Sequence, residues 1–400
     1  MDTAALENSP VGQLVPISGH DERQRPFSHV AFLPKPLPTT LELSSATWTG
    51  VAAATEALGR LHQACASIPN PRLLIAPALA KEAVDTSALE GTYGALADVL
   101  ESRLTDVRPK SAEVAEIRAY EQIAQLGFEW VRHQPITIGL LEHLQGILAK
   151  DSRQAQRDPG KVREHQVVIG PEGCTVYEAR YIPPPPDDRL RAGLDQWQEW
   201  LAADVPLPAP VKAAMAHYQF ESLHPFGDGN GRIGRLVIVL QLMRSGILNE
   251  PALTISPWLR ARRDEYQGHL LAVSQTGNWD PWVAFFCRAI CEQSMASVRV
   301  VDALNTWLTT QRQTLNDRYW TGTIAKLVED LVDWPVITAS FVQEKYEVSA
   351  PTAKSAIDRL MESGVLRETT GKSYGRVYAA MDVINAVESF GTSGESRPSA

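Results

Sequence analysis

The sequence predicts an all-α protein with two small β additions: a helical core that carries one β-hairpin, and a small α+β module at the C-terminus. Three observations carry that expectation. Stretches rich in alanine, leucine and charged helix formers fill most of the middle of the chain. β-branched runs bounded by turn residues mark a hairpin near residues 163–183 and another near 365–378. Between them, the run 224–235 joins a glycine loop to an almost wholly apolar helix over 233–243.

Residues 1 to about 40 are rich in proline and polar groups and are expected to lie extended over the surface. From there to about residue 110 the chain reads as helices, among them an alanine-rich stretch from Ala76 with Gly91 as its C-terminal stop. Helices continue over 112–129 and 136–150. The stretches 166–170 and 181–182 flank Gly170-Pro171-Glu172-Gly173 and read as hairpin strands. The exposed edge of such a hairpin can pair with an extended peptide. Pro183 to Pro186 end it as a stiff segment, since proline continues neither a central strand nor a helix.

After the apolar helix, Ser256-Pro257-Trp258 leads into a helix carrying Arg263 and Tyr266. A long helix over about 287–317 then links to the C-terminal module. There, 337–342 begin one short helix, Val348-Ser349 makes a turn, and 350–363 form a second helix with Ser349 as N-cap and Gly364 as stop. Val365-Leu366 and Val377-Tyr378 flank a hairpin tip over 370–375. Helix, turn, helix and hairpin resemble a winged helix-turn-helix. The expected division is an N-terminal helical region over 1–110, a catalytic core over 111–297, a linker helix and C-terminal module over 298–390, and a disordered tail over 391–400.

The run His224-Pro225-Phe226-Gly227-Asp228-Gly229-Asn230-Gly231-Arg232-Ile233-Gly234-Arg235 holds the chemistry. Gly229 and Gly231 lack Cβ, so the backbone can take positive φ and bring N–H groups to a ligand oxygen; Asn230 tolerates the same geometry. The loop opens a helix, whose unpaired N–H donors and partial positive charge favour phosphate. Arg232 and Arg235 lie three apart at the helix start, where planar guanidinium forks can clamp phosphate oxygens. Asp228 supplies a hard carboxylate oxygen suited to Mg²⁺ held together with substrate phosphates. His224 alone in the run has an ordinary pKa suited to proton abstraction near neutrality. Each part alone is commonplace: a Gly-x-Gly turn, a His-Pro loop entry, solvated arginines. Their order and spacing together are what point to a nucleotide polyphosphate.

This run resembles the Fic-domain signature, His-x-Phe-x-(Asp/Glu)-Gly-Asn-Gly-Arg-x-x-Arg, at every specified position. The kinase-like Doc branch carries lysine where this chain has Gly231. The resemblance implies transfer of AMP from ATP to a hydroxyl of a target protein, on Ser, Thr or Tyr, with self-modification included. It assigns His224 as the base, Asp228 as the Mg²⁺ ligand, and the amides of Gly229 to Gly231, with Gly227 and Asn230 in the same loop, as the phosphate cradle. Arg232 and Arg235 would hold the β- and γ-phosphates, and Phe226 would anchor the core. Upstream, 160–186 look like the flap hairpin on which this family docks its target segment. Downstream, Tyr266 matches a tyrosine that often lines the adenine pocket, and core packing is an equal reading of it. Gln145 departs from a histidine common in the helix before the flap.

Thr86-Ser87-Ala88-Leu89-Glu90-Gly91 matches the family's inhibitory pattern, (Ser/Thr)-x-x-x-Glu-(Gly/Asn), at Thr86, Glu90 and Gly91. By that resemblance Glu90 would compete with the γ-phosphate for Arg235. A carboxylate near the C-terminal end of a helix is also placed against the local dipole, as expected of a group with a distant partner; a solvated helix-end carboxylate is the plainer reading.

The net charge is −9. No apolar run approaches the ~20 residues needed to span a bilayer, so no membrane contact is expected. The start Met1-Asp2-Thr3 lacks a basic segment and apolar core, and the four cysteines, Cys65, Cys174, Cys287 and Cys291, form no metal-site spacing. A reducing cytoplasm is the expected location. Lys354, Arg359, Arg367, Lys372 and Arg376 gather on the C-terminal module, yet acidic residues outnumber basic ones from 321 onward. DNA is therefore the lesser expectation for that module and protein contact the greater, with homo-oligomerisation left open. The functions implied are an autoinhibited AMP transferase, its reversal at the same site, or a DNA-binding regulator whose core senses nucleotide.

Overall fold

The computed structural model describes residues 1–20, 25–66, 72–104, 108–150, 158–371 and 375–389. The chain is mainly helical with two antiparallel sheets of two and three strands. It begins with α1 (Thr3–Glu7), β1 (Gly12–His20), β2 (Pro26–Pro34), α2 (Ser45–Ala66), α3 (Arg72–Leu89), α4 (Leu96–Glu101), α5 (Ala112–Val131) and α6 (Ile138–Lys150). There follow α7 (Asp188–Ala202), α8 (Ala209–Leu223), α9 (Asn230–Arg244), α10 (Ser256–Ala261), α11 (Arg263–Thr276) and α12 (Asp280–Asp317). The C-terminal part contains α13 (Thr323–Asp330), β3 (Val336–Thr338), α14 (Ala339–Tyr346), α15 (Ala350–Glu362), β4 (Arg367–Glu368), β5 (Val377–Ala379) and α16 (Met381–Glu388). Two compact units emerge: one of residues 1–56, 123–248 and 261–291, the other of 57–122, 249–260 and 292–400.

In the first unit α8 and α9 pack side by side, and α9 is buried on every side from Asn230 to Met243. Gly234 permits that approach: a Cβ there would meet Glu221 Oε1 at 2.5 Å and Phe220 Cδ1 at 3.0 Å. Trp197 and Trp282 are fully buried and donate their indole N–H to Ala216 O (3.0 Å) and Ala214 O (2.9 Å), so each fills the core without orphaning a donor.

The N-terminal forty residues depart from expectation. Instead of only lying extended over the surface, they fold into α1, capped by Asp2, and a pair of nine-residue antiparallel strands with register Gly12↔Pro34 to His20↔Pro26. Val15 and Ile17 point inward at the two-residue spacing of a strand and join Ala31, Val176, Ala179 and Ile182 in one buried cluster. Pro16, exposed on the edge strand, and the flanking prolines had hidden the pattern.

The expected flap hairpin is reduced to a single antiparallel bridge, Ile169↔Tyr181. Its return limb is engaged elsewhere: Ile182 O accepts from Phe32 N of β2 at 2.9 Å, and the Gln166 amide donates to Pro183 O at 2.9 Å. Two further boundaries shift. The helix after the glycine loop starts at Asn230 rather than 233, and the long helix starts at Asp280 rather than 287.

In the second unit α3 is buried along Glu82–Leu89, polar residues included. Glu82 accepts from Ser256 N (3.0 Å) and Ser256 Oγ, while Asp85 takes Arg260 Nη1 at 2.8 Å and Lys81. These partners make burial of two carboxylates tolerable. α16 also packs on α3. In the C-terminal part, Val336–Thr338 form the strand β3 where the first helix was expected to begin, and that helix, α14, starts at Ala339; Thr338 caps α14, Ser349 caps α15 and Gly364 (φ +80°) ends it. β3, β5 and β4 form one sheet in that order. The hairpin-tip residues 372–374, Lys372 among them, and the tail 391–400 lie outside the described residues. Among those described, no helix is long and apolar enough to cross a membrane.

Candidate active site

α8 ends on His224, which adopts the left-handed region (φ 49°, ψ 62°) and returns its N–H to Phe220 O at 2.9 Å. Nδ1 lies 3.3 Å from Glu221 O and 4.0 Å from Glu221 Oε2, two acceptors, so it carries the proton. Nε2 is thereby the basic nitrogen, on a side chain one-fifth exposed at 20%. A base needs this combination of an oriented ring and solvent-side access.

The loop that follows is tied by one side chain. Asn230 Oδ1 accepts from Phe226 N and its Nδ2 donates to Phe226 O, both at 2.8 Å, which closes the turn as a backbone pair would. Phe226 is the expected core anchor, 1% exposed, with its ring 6.4 Å from that of Phe220 and tilted 56° to it. Gly227 and Asp228 remain exposed, while Gly229 takes φ +80° and caps α9. Gly231 departs from expectation: it lies inside α9 with helical backbone, so positive φ is needed at one glycine of the pair. Gly229→Ala is expected to cost about 1–2 kcal/mol, since a left-handed L-residue is strained and its Cβ would meet Leu148 Cδ2 at 3.0 Å. The check is the urea midpoint, which should fall at unchanged m-value; an unshifted midpoint refutes the strain.

Arg232 and Arg235 are 1% and 2% exposed. Arg232 Nη2 lies 3.2 Å from Asp228 Oδ2, so the first arginine already organises the loop carboxylate. Arg235 lies close enough to His217 that its charge acts on that imidazole. His217 donates Nδ1–H to Gly234 O (3.1 Å) and accepts at Nε2 from the Tyr266 hydroxyl (2.6 Å), with Tyr266 and Trp282 stacked alongside. Tyr266 is 4% exposed, so at least part of its role is packing.

Burial first, then the Arg235 charge, push the His217 pKa down to about 3. Its folded value lies below the ordinary one, so the unfolded chain takes up this proton first. The stability it contributes is complete above about pH 6.5 and erodes as pH falls from there toward 3. His217→Gln should therefore flatten the acid limb of the stability curve by up to about 1.4 kcal/mol per pH unit below pH 6. Urea titrations of both chains at pH 7, 6 and 5 measure this, and parallel curves would contradict it.

Several residues that build the site carried no sequence signal. Gln145, 1% exposed, donates to Asp228 O at 3.2 Å and accepts from Gly160 N at 2.5 Å, so the residue noted only as a departure in fact supports the loop. Arg163, 1% exposed, reaches His224 O at 2.8 Å. His165 is held by Asp158 at 2.8 Å, with its ring 3.3 Å from where a Gly227 Cβ would be. Long side chains on irregular segments default to solvent, so only the fold exposes such roles. Within the other unit, Thr86 is fully buried in α3, and Glu90 follows the helix as an exposed residue with its N–H on Ser87 O at 3.0 Å. Gly91 adopts φ +88° and ends the helix as expected.

A divalent cation that arrives with phosphates needs one or two protein oxygens. Asp228, its side chain 48% exposed, offers one such oxygen. Among the described residues no cluster of three His, Cys, Asp or Glu is assembled. The donor set therefore fits a cation carried mainly by a nucleotide.

Residues 48–129 match the Fic/DOC family N-terminal region and residues 135–242 the Fic/DOC family. The chain is 39% identical over 112 residues to "Protein adenylyltransferase Fic" of Culex quinquefasciatus, covering 28% of this chain and 21% of that one. It is 34% identical over 128 residues to the protein of the same name from Drosophila erecta, covering 32% of this chain and 22% of that one. The match thus spans about a fifth of these relatives' length. A crystal structure of a Fic family protein from Desulfovibrio desulfuricans superposes with TM-score 0.53 at 20% identity, over 85% of this chain and 97% of that one, so the fold is shared. With the signature at 224–235 inside the matched span, residues 48–242 of this chain carry the N-terminal and Fic regions of the Fic/DOC family.

Proposed function

We propose that the chain transfers AMP from ATP to a Ser, Thr or Tyr hydroxyl of a protein, itself included. The observation that carries this reading is the oriented His224, whose Nδ1–H rests on Glu221 O and leaves Nε2 basic directly before a Gly229-capped helix start. Nε2 takes the acceptor's proton as the hydroxyl oxygen forms a bond to the α-phosphorus. The bond from that phosphorus to the bridging oxygen breaks, and pyrophosphate leaves with the bonding pair. The N-terminal amides of α9 face the phosphates, and the buried forks of Arg232 and Arg235 set their register. Asp228 would hold Mg²⁺, whose chemistry is to neutralise phosphate charge. Tyr266, bonded to His217, would border the base, and the segment around the Ile169–Tyr181 bridge would dock the target.

Glu90 is proposed as the brake, competing with the γ-phosphate for Arg235. Intact mass spectrometry of Glu90→Gly after incubation with ATP and Mg²⁺ tests the whole reading. One or more added AMP masses support it, and an unmodified chain together with an unmodified candidate target refutes it.

Reversal at the same site is the companion reading, with the Glu90 carboxylate orienting a water. The DNA-sensing reading stands behind both. Lys354 on α15, 76% exposed, is paired at 3.0 Å with Asp358, which lowers the positive field a phosphate would meet.

A further inference from the structure

We propose that Arg163 is a positioning residue that locks the base and couples it to the flap. The proposal rests on His224 being the base, as argued above. Arg163 is 1% exposed, and its guanidinium meets four carbonyls. Nε donates to His224 O at 2.8 Å, Nη1 to His165 O at 3.1 Å, and Nη2 to Pro184 O at 2.6 Å and Leu223 O at 3.4 Å. The backbone adds a fifth bond, Arg163 N to Pro225 O at 2.9 Å.

Those carbonyls belong to three different segments. His165 lies on the outgoing limb of the flap, Pro184 on its return limb, and Leu223 and His224 at the end of α8. One planar fork therefore ties both limbs of the target-docking segment to the residue that abstracts the proton. Lysine offers a single point charge and could satisfy no such spread of acceptors.

The clamp also explains two local costs. His224 is a non-glycine residue in the left-handed region, a conformation kept only where surroundings over-determine it. Its carbonyl is fixed by Arg163 and its N–H by Phe220 O, so the ring leaves the chain at a defined angle. A buried cation surrounded by carbonyl dipoles is likewise expensive. Burial pulls its pKa down to about 10, and the guanidinium stays charged at neutral pH. Apolar packing would fill the same volume at lower cost, which argues that the fork is retained for geometry.

The experiment uses the full chain with Glu90→Gly, so that transfer can be read, and adds Arg163→Lys or Arg163→Gln. ATP affinity, melting temperature and single-turnover transfer are measured on each, with the His224 ring resonance followed in histidine-labelled protein. For a variant that keeps its melting transition, ATP affinity should stay within about twofold, because the phosphate cradle is elsewhere. The transfer rate should fall at least tenfold, and the His224 resonance should shift or broaden while that of His217 holds. Millimolar guanidinium should restore part of the rate in Arg163→Gln. Unchanged transfer with an unmoved His224 resonance overturns the proposal; so does a rate loss that only follows a lost melting transition and ATP affinity in both variants. If Glu90→Gly itself transfers no AMP, the transfer reading fails, and the resonance still decides whether Arg163 positions the ring.

Discussion

Glu90→Gly is expected to raise AMP transfer about a hundredfold over the parent chain. The residue sits just past α3, beside the partial negative charge of a helix C-terminus, which opposes a carboxylate. The helix that presents it is fixed along its length, through Glu82 on Ser256 and Asp85 on Arg260. Gly91 at φ +88° then turns the chain away. Such a mount holds a charge at a set place, which an inhibitor built into the chain requires. A hundredfold restraint corresponds to about 2.7 kcal/mol, within reach of one charge-assisted pair to an arginine. Transfer of α-labelled AMP under ATP and Mg²⁺ measures it. Equal labelling of both chains would remove Glu90 as a brake. If Glu90 also orients water in the reverse reaction, the same substitution should slow removal of AMP from a pre-labelled acceptor.

His224→Ala in the Glu90→Gly background is expected to lower that transfer by about 10²- to 10⁴-fold, the range a well-placed general base supplies. ATP binding should survive. The proposed phosphate cradle rests on the α9 start, on Asn230 closing the Phe226 turn and on Gln145 holding Asp228 O, none of which uses the imidazole. A loss confined to turnover, measured beside an unaltered ATP dissociation constant, identifies proton abstraction. Transfer undiminished by the change would rule out His224 as the base, whatever else the loop does.

The parts of the site legible from sequence were those whose partners lie within one turn of the chain. Asn230, Phe226 and Gly229 act on each other across four positions, so spacing alone conveys their geometry. Arg163 and Gln145 were opaque because the carbonyls they hold lie 61 and 83 positions away. Gly231 shows the opposite limit: it is a glycine in a helix start that does not take positive φ. The N-terminal hairpin was masked by Pro16 and Gly19, which blur the alternation of Val15 and Ile17. The flap departs from expectation because β-branched residues mark extended chain but not what it pairs with, and Ile182 O pairs with β2 instead.

That last contact bears on how a guest peptide could be received. A strand offers two rims, and on the flap's return limb one rim already carries a resident neighbour: Phe32 grips Ile182, and Val15, Ile17 and Ala31 seal the joint. The other rim of that limb meets Ile169 of the outgoing limb, so under the proposed docking a guest peptide is left the outer rim of the outgoing limb, which narrows both the direction and the register of approach. A chain shortened to start near residue 40 would present the vacated rim, and with it a sticky, unselective edge.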